Sequence, residues 1–371
     1  MPSSKQWILA NKPTDLPTLS GPTPTFKLTS ADVPKPSSSQ ALVKTLMLSN
    51  DPAQRTWIVP NADPERLYLP PVQEGSPMSA FALAEVVESG SPNELPVGSL
   101  VLCPTNWTEY SVHEIKTLQK IQPIEGLDLG HFLGALGMTA VTAYYGIKEV
   151  AGTTKDDTVV VSGAAGATGS MVVQIAKKII GCKRVIGIAG TDDKCRWVET
   201  LGADVCINYK KDSFEQDLIK ETEGFVEVYF DNVGGNILDL MLTRMKRHGR
   251  IAACADDKQE VISMRLHIRG FIVLDYYHKF SDVIAELTQA WKEGKIVVDE
   301  SMQTVVEAKF EDIPNVWMKL FEGGNTGKLC TKIVSRRHRV RRGKEKRQVL
   351  IIIAATGCLN LWSPINVKSM A

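Results

Sequence analysis

One stretch constrains this chain more than any other. Val159-Val160-Val161 runs into Ser162-Gly163-Ala164-Ala165-Gly166-Ala167-Thr168-Gly169 and then directly into Ser170-Met-Val-Val-Gln-Ile-Ala-Lys-Lys-Ile-Ile180. The β-branched run, Thr158–Ser162, reads as a buried strand, and the apolar run after it as a helix that begins near Thr168. A strand, a small-residue turn and a helix in that order aim unpaired backbone N–H groups at one point, where a diphosphate gains hydrogen bonds and the positive end of the helix. Gly163 permits the tight turn, Gly166 lets the anion approach the backbone, and Gly169 lets helix and strand pack closely. The spacing is G-x-x-G-x-x-G rather than G-x-G-x-x-G, so the turn alone reads equally as a connection that binds nothing. The strand before it and the helix after it raise the signal.

Beyond this helix the chain repeats the pattern. Strands are expected at Arg184–Ala189, Val205–Asn208, Val226–Phe230, Arg250–Cys254 and Gly270–Leu274, with helices over Asp193–Leu201 and Ser281–Glu293. Alternating strands and helices imply βαβ units and a parallel, doubly wound sheet of the Rossmann type. A chain that binds NAD usually ends its second strand in a carboxylate for the ribose diol. Here that strand ends Ile188-Ala189-Gly190-Thr191, and Lys194 comes within a turn, in reach of a 2′-phosphate. Asp192 and Asp193 lie between and offer the opposite reading, and Lys194 is also what a solvated first turn of a helix would carry.

The residues before this unit have another texture. Short apolar runs at Ala41–Leu48, Ala80–Val87 and Ser99–Cys103 are separated by Pro, Gly, Asn and Ser clusters, as in a compact β-rich barrel. Residues 296–334 read as strands and one helix, Ile313–Phe321, returning to that first domain. The expected organisation is a β-rich domain over 1–130 completed by 296–335, a nucleotide-binding domain over 131–295, and a tail over 336–371. The fold class is α/β.

Composition narrows the function classes. The net charge is +1, but nine of the 43 Lys and Arg and only one of the 42 acidic residues lie in 336–371, so the rest of the chain sits near −7. An acidic body argues against nucleic acid as a partner. The seven cysteines (Cys103, Cys182, Cys195, Cys206, Cys254, Cys330 and Cys358) are scattered, odd in number and never spaced C-x-x-C. That excludes a disulfide framework and points to a reducing compartment. No apolar run comes after Met1, so the expected location is the cytoplasm. Zinc-type dehydrogenases need a Cys, a His-Glu pair and a distal Cys, and Cys103 and His113 lack such partners.

These residues together resemble the zinc-independent medium-chain dehydrogenase/reductases, in particular the NADP-dependent alkenal double-bond reductase, or leukotriene B4 12-hydroxydehydrogenase (prostaglandin reductase), group. The likeness spans roughly residues 5–334. It rests on Leu48-Ser-Asn-Asp-Pro-Ala-Gln-Arg55, Trp107-Thr-Glu-Tyr110, Gly137-Met-Thr-Ala-Val-Thr-Ala-Tyr144 and the glycine turn. Further landmarks are Ala189-Gly-Thr-Asp-Asp-Lys194, Asn208-Tyr-Lys210, Phe230-Asp-Asn-Val-Gly-Gly235, Gly270-Phe-Ile-Val273 and Gly324-Asn-Thr-Gly-Lys328. The resemblance implies a GroES-like catalytic domain plus a Rossmann domain, with NADP(H) in the cleft. It also implies reduction of the C=C bond of a small α,β-unsaturated aldehyde or ketone, and a homodimer. By position, Gly166, Ala167, Thr168 and Gly169 would cradle the diphosphate. Lys194 and Tyr209 would meet the 2′-phosphate, and Asn232 the ribose side. Cys254 would lie near the nicotinamide, with Phe271, Ile272 and Val273 lining it and Asn325 closing the site. Read without the family, Tyr209 is a strand-end aromatic and Asn232 a turn residue before Val233-Gly234-Gly235.

Two departures affect the substrate side. The family usually carries Gly-x-Ile-Ser-x-Tyr after the fifth strand, its Tyr facing the substrate; this chain has the shorter Cys254-Ala-Asp-Asp-Lys-Gln-Glu-Val-Ile-Ser-Met264. Ala53 stands where the Asp-Pro-x-x-Arg segment usually has Tyr. Tyr276 or Tyr277, just past Gly270-Phe-Ile-Val273, is the replacement hydrogen-bond donor. The same residues leave open a quinone as acceptor, or a cofactor binder that has lost catalysis. In the tail, Arg336–Arg347 is basic and Val349–Trp362 apolar, too short to span a bilayer. It is expected to be a disordered appendage with no membrane partner.

Overall fold

The computed structural model describes residues 3–60, 69–253 and 267–334. Cys254, the segment to Met264 and the tail therefore lie outside the described residues. In chain order the strands and helices are β1 (Ser3–Leu9), β2 (Phe26–Asp32), β3 (Gln40–Ser49), β4 (Ala82–Ser89), β5 (Leu100–Cys103), β6 (Tyr110–Glu114), β7 (Gln119–Lys120), α1 (Met138–Tyr145), β8 (Thr158–Val161), α2 (Ala167–Gln174), β9 (Arg184–Ala189), α3 (Asp192–Leu201), β10 (Val205–Asn208), α4 (Phe214–Glu221), β11 (Val226–Asp231), α5 (Gly235–Arg244), β12 (Met245–Ala253), β13 (His267–Gly270), α6 (Phe280–Lys292), β14 (Gln303–Ala308), α7 (Ile313–Glu322) and β15 (Lys328–Ile333).

Strands β8 to β13 form one parallel sheet in the order β10-β9-β8-β11-β12-β13. The order reverses between β8 and β11, and in such sheets ligands bind beyond the carboxyl ends of the strands at that reversal. The strands are apolar on both faces because helices cover both. Val159 and Val161 pack under one helical layer with Met171, Val172 and Ile175, and Val160 under the other with Leu238 and Met241. Burying each such side chain contributes about 1.5–3 kcal/mol before the entropy of ordering it is subtracted. Beyond α2 the helix widens by a π-type turn, Ile175–Ile180, and stops at Gly181 with φ +79°. Gln174, wholly buried at the end of α2, exchanges two hydrogen bonds with the Val297 backbone, 3.1 Å and 2.6 Å. This pins the helix that carries the glycine turn to the chain leaving the sheet.

The second sheet is mixed, in the order β14-β15-β3-β4-β5-β7, with β6 also on β3. Residues from both chain ends build it, since β15 runs antiparallel to β3 with Cys330 opposite Ser49. The parallel sheet is thus an excursion between β7 and β14. Phe26, Trp107 and Trp317 meet in this half with ring centroids 4.9–5.9 Å apart.

Several elements differ from the sequence expectation, among them β12, which starts at Met245 and not at Arg250. The sixth parallel strand is His267–Gly270, not Gly270–Leu274. Gly270 is the last residue in register, opposite Ala253, and Val273–Lys279 is a tight 3-10 turn. The strand itself is polar because it sits at the sheet edge. Phe271 and Val273, which read as strand, pack off the sheet against the α1–α2 side of the core. The N-terminal pair β1–β2, antiparallel over seven residue pairs, has too little alternation to stand out in sequence.

Candidate functional site

The site grows from the turn between β8 and α2. Gly163 has φ +58°, a conformation side chains resist, and its carbonyl accepts from Gly166 N–H at 2.9 Å. A Cβ on Gly169 would fall 2.3 Å from the Gly163 carbonyl oxygen and 2.8 Å from Ala164 Cα, so only glycine lets α2 lie this close. Gly166 is the N-cap of α2 and has no side chain with which to satisfy the first turn. The amides of Ala167, Thr168 and Gly169 have no intrahelical acceptor, and with the helix dipole they form a seat for a phosphate.

The neighbouring strand supports this seat. Asn232, just past β11, donates from Nδ2 to the Ser162 carbonyl at 2.8 Å, and its N–H donates to the Ser162 hydroxyl at 2.9 Å. Behind it Asp231, 1 % exposed, takes four donors on Oδ1: the Ser162 and Tyr229 hydroxyls and the Val233 and Gly234 amides, at 2.8–3.0 Å. Burial, and then the Asp231 charge beside it, hold the Tyr229 phenol well above its ordinary pKa. Sequence reasoning misses Asp231 because it reads as part of a turn; the sign available is a carboxylate that directly follows the apolar Val228-Tyr-Phe230 at a strand end.

A cationic corner lies at the ends of β9 and β10. Thr191 caps α3, accepting from Lys194 N–H at 3.2 Å, and the Lys194 ammonium donates to the Gly323 carbonyl at 2.9 Å. Burial, and then the nearby Lys210 charge, lower the Lys194 pKa. Tyr209 covers Gly190, where an added Cβ would meet the ring and hydroxyl at 3.1 Å. The two carboxylates that offer the alternative reading are engaged elsewhere. Asp192 Oδ1 accepts from Asn208 and Lys211, each at 2.9 Å, and Asp193 pairs with Arg196. Two ammonium groups and a phenol, with both of these carboxylates engaged, suit a phosphate on the adenosine ribose.

Across the cleft, Phe271 meets Phe230 edge-on at 6.3 Å over Gly146, where a Cβ would come within 2.6 Å of both rings. Ile272 is exposed beside it. Tyr276 stacks on Tyr145 at 4.2 Å and 13°, whereas Tyr277 is exposed and tilts against Phe280. Asn325 turns its Nδ2 to the Gly327 carbonyl, 3.0 Å, and Gly327 N–H reaches the Ala165 carbonyl at 2.9 Å, so residues 323–327 run along the glycine turn. The next residue, Lys328, is buried and ion-paired with Asp51, a contact no sequence pattern announced.

The two residues weighed as zinc donors are otherwise employed. Cys103 is buried in the β3–β5 core, its thiol pushed up to about 12 by burial, and His113 Nε2 lies 2.7 Å from the Ser111 hydroxyl. Among the described residues no group of three or more His, Cys, Asp or Glu is placed to hold a metal, and no helix is long and apolar enough to cross a membrane.

Comparison with known proteins points the same way. The family described as N-terminal domain of oxidoreductase matches residues 5–121, and that described as zinc-binding dehydrogenase matches residues 167–289. The chain is 36% identical over 353 residues to the NADP(+)-dependent 2-alkenal reductase of Nicotiana tabacum, covering 89% of this chain and 98% of that one. It is 33% identical to prostaglandin reductase 1 of Bos taurus over 90% of this chain and all (100%) of the relative. The crystal structure of CurA from Vibrio vulnificus in complex with NADPH superposes with a TM-score of 0.78 at 30% identity, covering 89% of this chain and 99% of that one.

Proposed function

The chain belongs to the NADP-dependent alkenal and prostaglandin reductase group of medium-chain dehydrogenase/reductases, and from that premise we propose that it reduces the C=C bond of small α,β-unsaturated aldehydes and ketones. It is an NADP-dependent oxidoreductase. The observation that carries the reading is the juxtaposition of the glycine turn with the Lys194, Tyr209 and Lys210 corner. The turn seats a diphosphate, and the corner selects the phosphate that distinguishes NADPH from NADH.

When bound, NADPH supplies the hydride. In this reading Gly166–Gly169 hold the diphosphate, Lys194 and Tyr209 the 2′-phosphate and Asn232 the ribose side. Phe271, Ile272 and Val273 line the nicotinamide pocket, and Asn325 closes it. Fixing donor and acceptor in contact geometry supplies much of the rate. The carbonyl oxygen would gain charge as the double bond is reduced, and a hydrogen-bond donor held there would suffice to stabilise it, with solvent supplying the proton for the α-carbon. Tyr276 is the first candidate donor, because its stack on Tyr145 fixes the ring plane. Tyr277 is the second.

The test is an acceptor panel. NADPH oxidation is followed with an alkenal, an enone and a quinone, then repeated with NADH. Turnover of the alkenal and enone with NADPH supports the proposal. Turnover of the quinone alone moves the chain to quinone reduction, and NADPH binding with no turnover makes it a cofactor binder.

A further inference from the structure

Two cysteines eleven residues apart in sequence meet between α3 and β10. Cys206 lies opposite Gly187 of β9, and a Cβ on Gly187 would fall 3.0 Å from Cys206 Sγ and 2.8 Å from Val198 Cγ1. The Cys206 sulfur is therefore turned to the face of the sheet that α3 covers. Cys195 stands one turn before Val198 on the same buried stripe of α3, which continues to Leu201. In this space the Cys206 thiol donates to the Cys195 sulfur. Both are free thiols; Cys195 is 6 % exposed and Cys206 is half-buried.

The two thiols differ in character. The Cys206 donor holds Cys195 below the ordinary thiol pKa, whereas the Cys195 sulfur, and then burial, push Cys206 well above it. The thiolate is the reactive form, so Cys195 is the nucleophile of the pair and Cys206 the resolving thiol. Elsewhere burial pushes Cys103 up to about 12, Cys182 to about 11 and Cys330 to about 12, which keeps them inert.

The pair underlies the cationic corner. Cys195 directly follows Lys194, and Tyr209 comes three residues after Cys206. Cys206 N–H donates to Glu199 Oε1 at 3.0 Å, which ties the middle of α3 to β10. The first turn of α3 is held by the Thr191 cap and by Lys194 on the Gly323 carbonyl.

We propose that Cys195 and Cys206 are a dithiol that a peroxide oxidises to a disulfide, and that this bond weakens NADPH binding by displacing the first turn of α3. The effect on NADPH rests on the reading of the Lys194 and Tyr209 corner as the 2′-phosphate site. First the Cys195 thiolate attacks one peroxide oxygen, the O–O bond breaks, and the departing hydroxide takes up a proton and leaves as water. Then the Cys206 sulfur attacks the Cys195 sulfenic acid. The S–S bond forms, the S–O bond breaks, and the hydroxyl leaves as water with the Cys206 proton. Each sulfur gives up one electron, and the peroxide takes both. Bond formation draws the sulfurs closer than two thiols can lie. Because Glu199 holds the middle of α3, the movement falls on the turn that carries Lys194. By linkage NADPH favours the dithiol form by the same factor by which the disulfide weakens NADPH.

The test oxidises the full chain with hydrogen peroxide, blocks the remaining thiols with N-ethylmaleimide, and maps the digest by mass spectrometry without reductant. One cross-linked peptide pair joining Cys195 to Cys206 is expected, and dithiothreitol removes it. In NADPH fluorescence titrations of the same samples the Kd rises at least about fivefold on oxidation and returns on reduction. In Cys206→Ser, and independently in Cys195→Ser, peroxide leaves the Kd within about twofold. If one variant does not fold, the other decides; if neither folds, the map and the reversible Kd shift of the unaltered protein decide. No Cys195–Cys206 link, a link with an unchanged Kd, or a shift that persists in the variants overturns the inference. Reduced protein that binds no NADPH removes the parent reading and the effect on affinity with it. Reduced protein that binds NADPH but fails the oxidation arms removes only this inference.

Discussion

The two sides of the cleft are assembled differently. On the nucleotide side the parts are close in sequence: Gly163 and Gly169 share one turn, and Lys194, in the first turn of α3, and Tyr209 follow the neighbouring strands β9 and β10. On the barrel side the parts are remote. Lys328 and Asp51 are 277 residues apart, and Trp317 reaches the Asp51 carbonyl across 266. A strand, a turn and a helix are set by local sequence, whereas the mixed sheet depends on how both chain ends meet.

The largest expected effect tests the parallel-sheet side at the turn that follows β13. Tyr276→Phe preserves the stack on Tyr145 and removes only the hydroxyl, so kcat with an enone should fall about 100-fold while NADPH affinity holds. Unchanged kcat would pass the role to Tyr277. Next comes an attack on the nucleotide side. Gly169→Val puts carbon where the Gly163 carbonyl stands, which should cost about 1–3 kcal/mol of stability and weaken NADPH by at least about tenfold, read by thermal melts and calorimetry. On the proposed reading, Lys194→Met removes one charge-assisted contact to the 2′-phosphate. It should weaken NADPH by about 10–100-fold and leave NADH within about twofold. An equal loss for both cofactors would place Lys194 elsewhere.

Smaller effects separate the sides by pH and by charge. Burial lowers the pKa of His113 and His131, both outside the parallel sheet. Each binds its proton more readily unfolded, so their contribution is complete above the ordinary histidine value of about 6.5 and is lost as pH falls through the lowered folded values. Tm should drop by a few degrees between about pH 7 and about pH 5, and less when both are replaced by Gln. Last, Asp192→Asn should change the NADPH-to-NADH preference by less than about twofold, because its carboxylate already serves Asn208 and Lys211. A large change would return Asp192 to the ribose.

Legibility in the sequence divides along the same line. Strands β8 to β11 could be placed nearly to the residue because they are mostly apolar and rich in Val and Ile, as suits strands covered by helices on both faces. β13 was misplaced because an edge strand need not be apolar: His267-Ile-Arg-Gly270 pairs with β12 while the apolar Phe271-Ile-Val273 leaves the sheet. Gly163 and Gly169 could be placed because a tight turn and close helix packing demand glycine, whereas the roles of Lys194 and Tyr209 at a 2′-phosphate stay part of the proposal. Asp231 and Lys328 could not, since a buried carboxylate with four donors and a buried ammonium against a distant carboxylate exist only after folding.

The most direct measurement is a calorimetric titration of the intact protein with NADPH and, separately, NADH. A glycine turn flanked by Lys194, Tyr209 and Lys210 predicts NADPH bound about 10–100-fold more tightly than NADH. Equal affinities, or no heat with either dinucleotide, would contradict it.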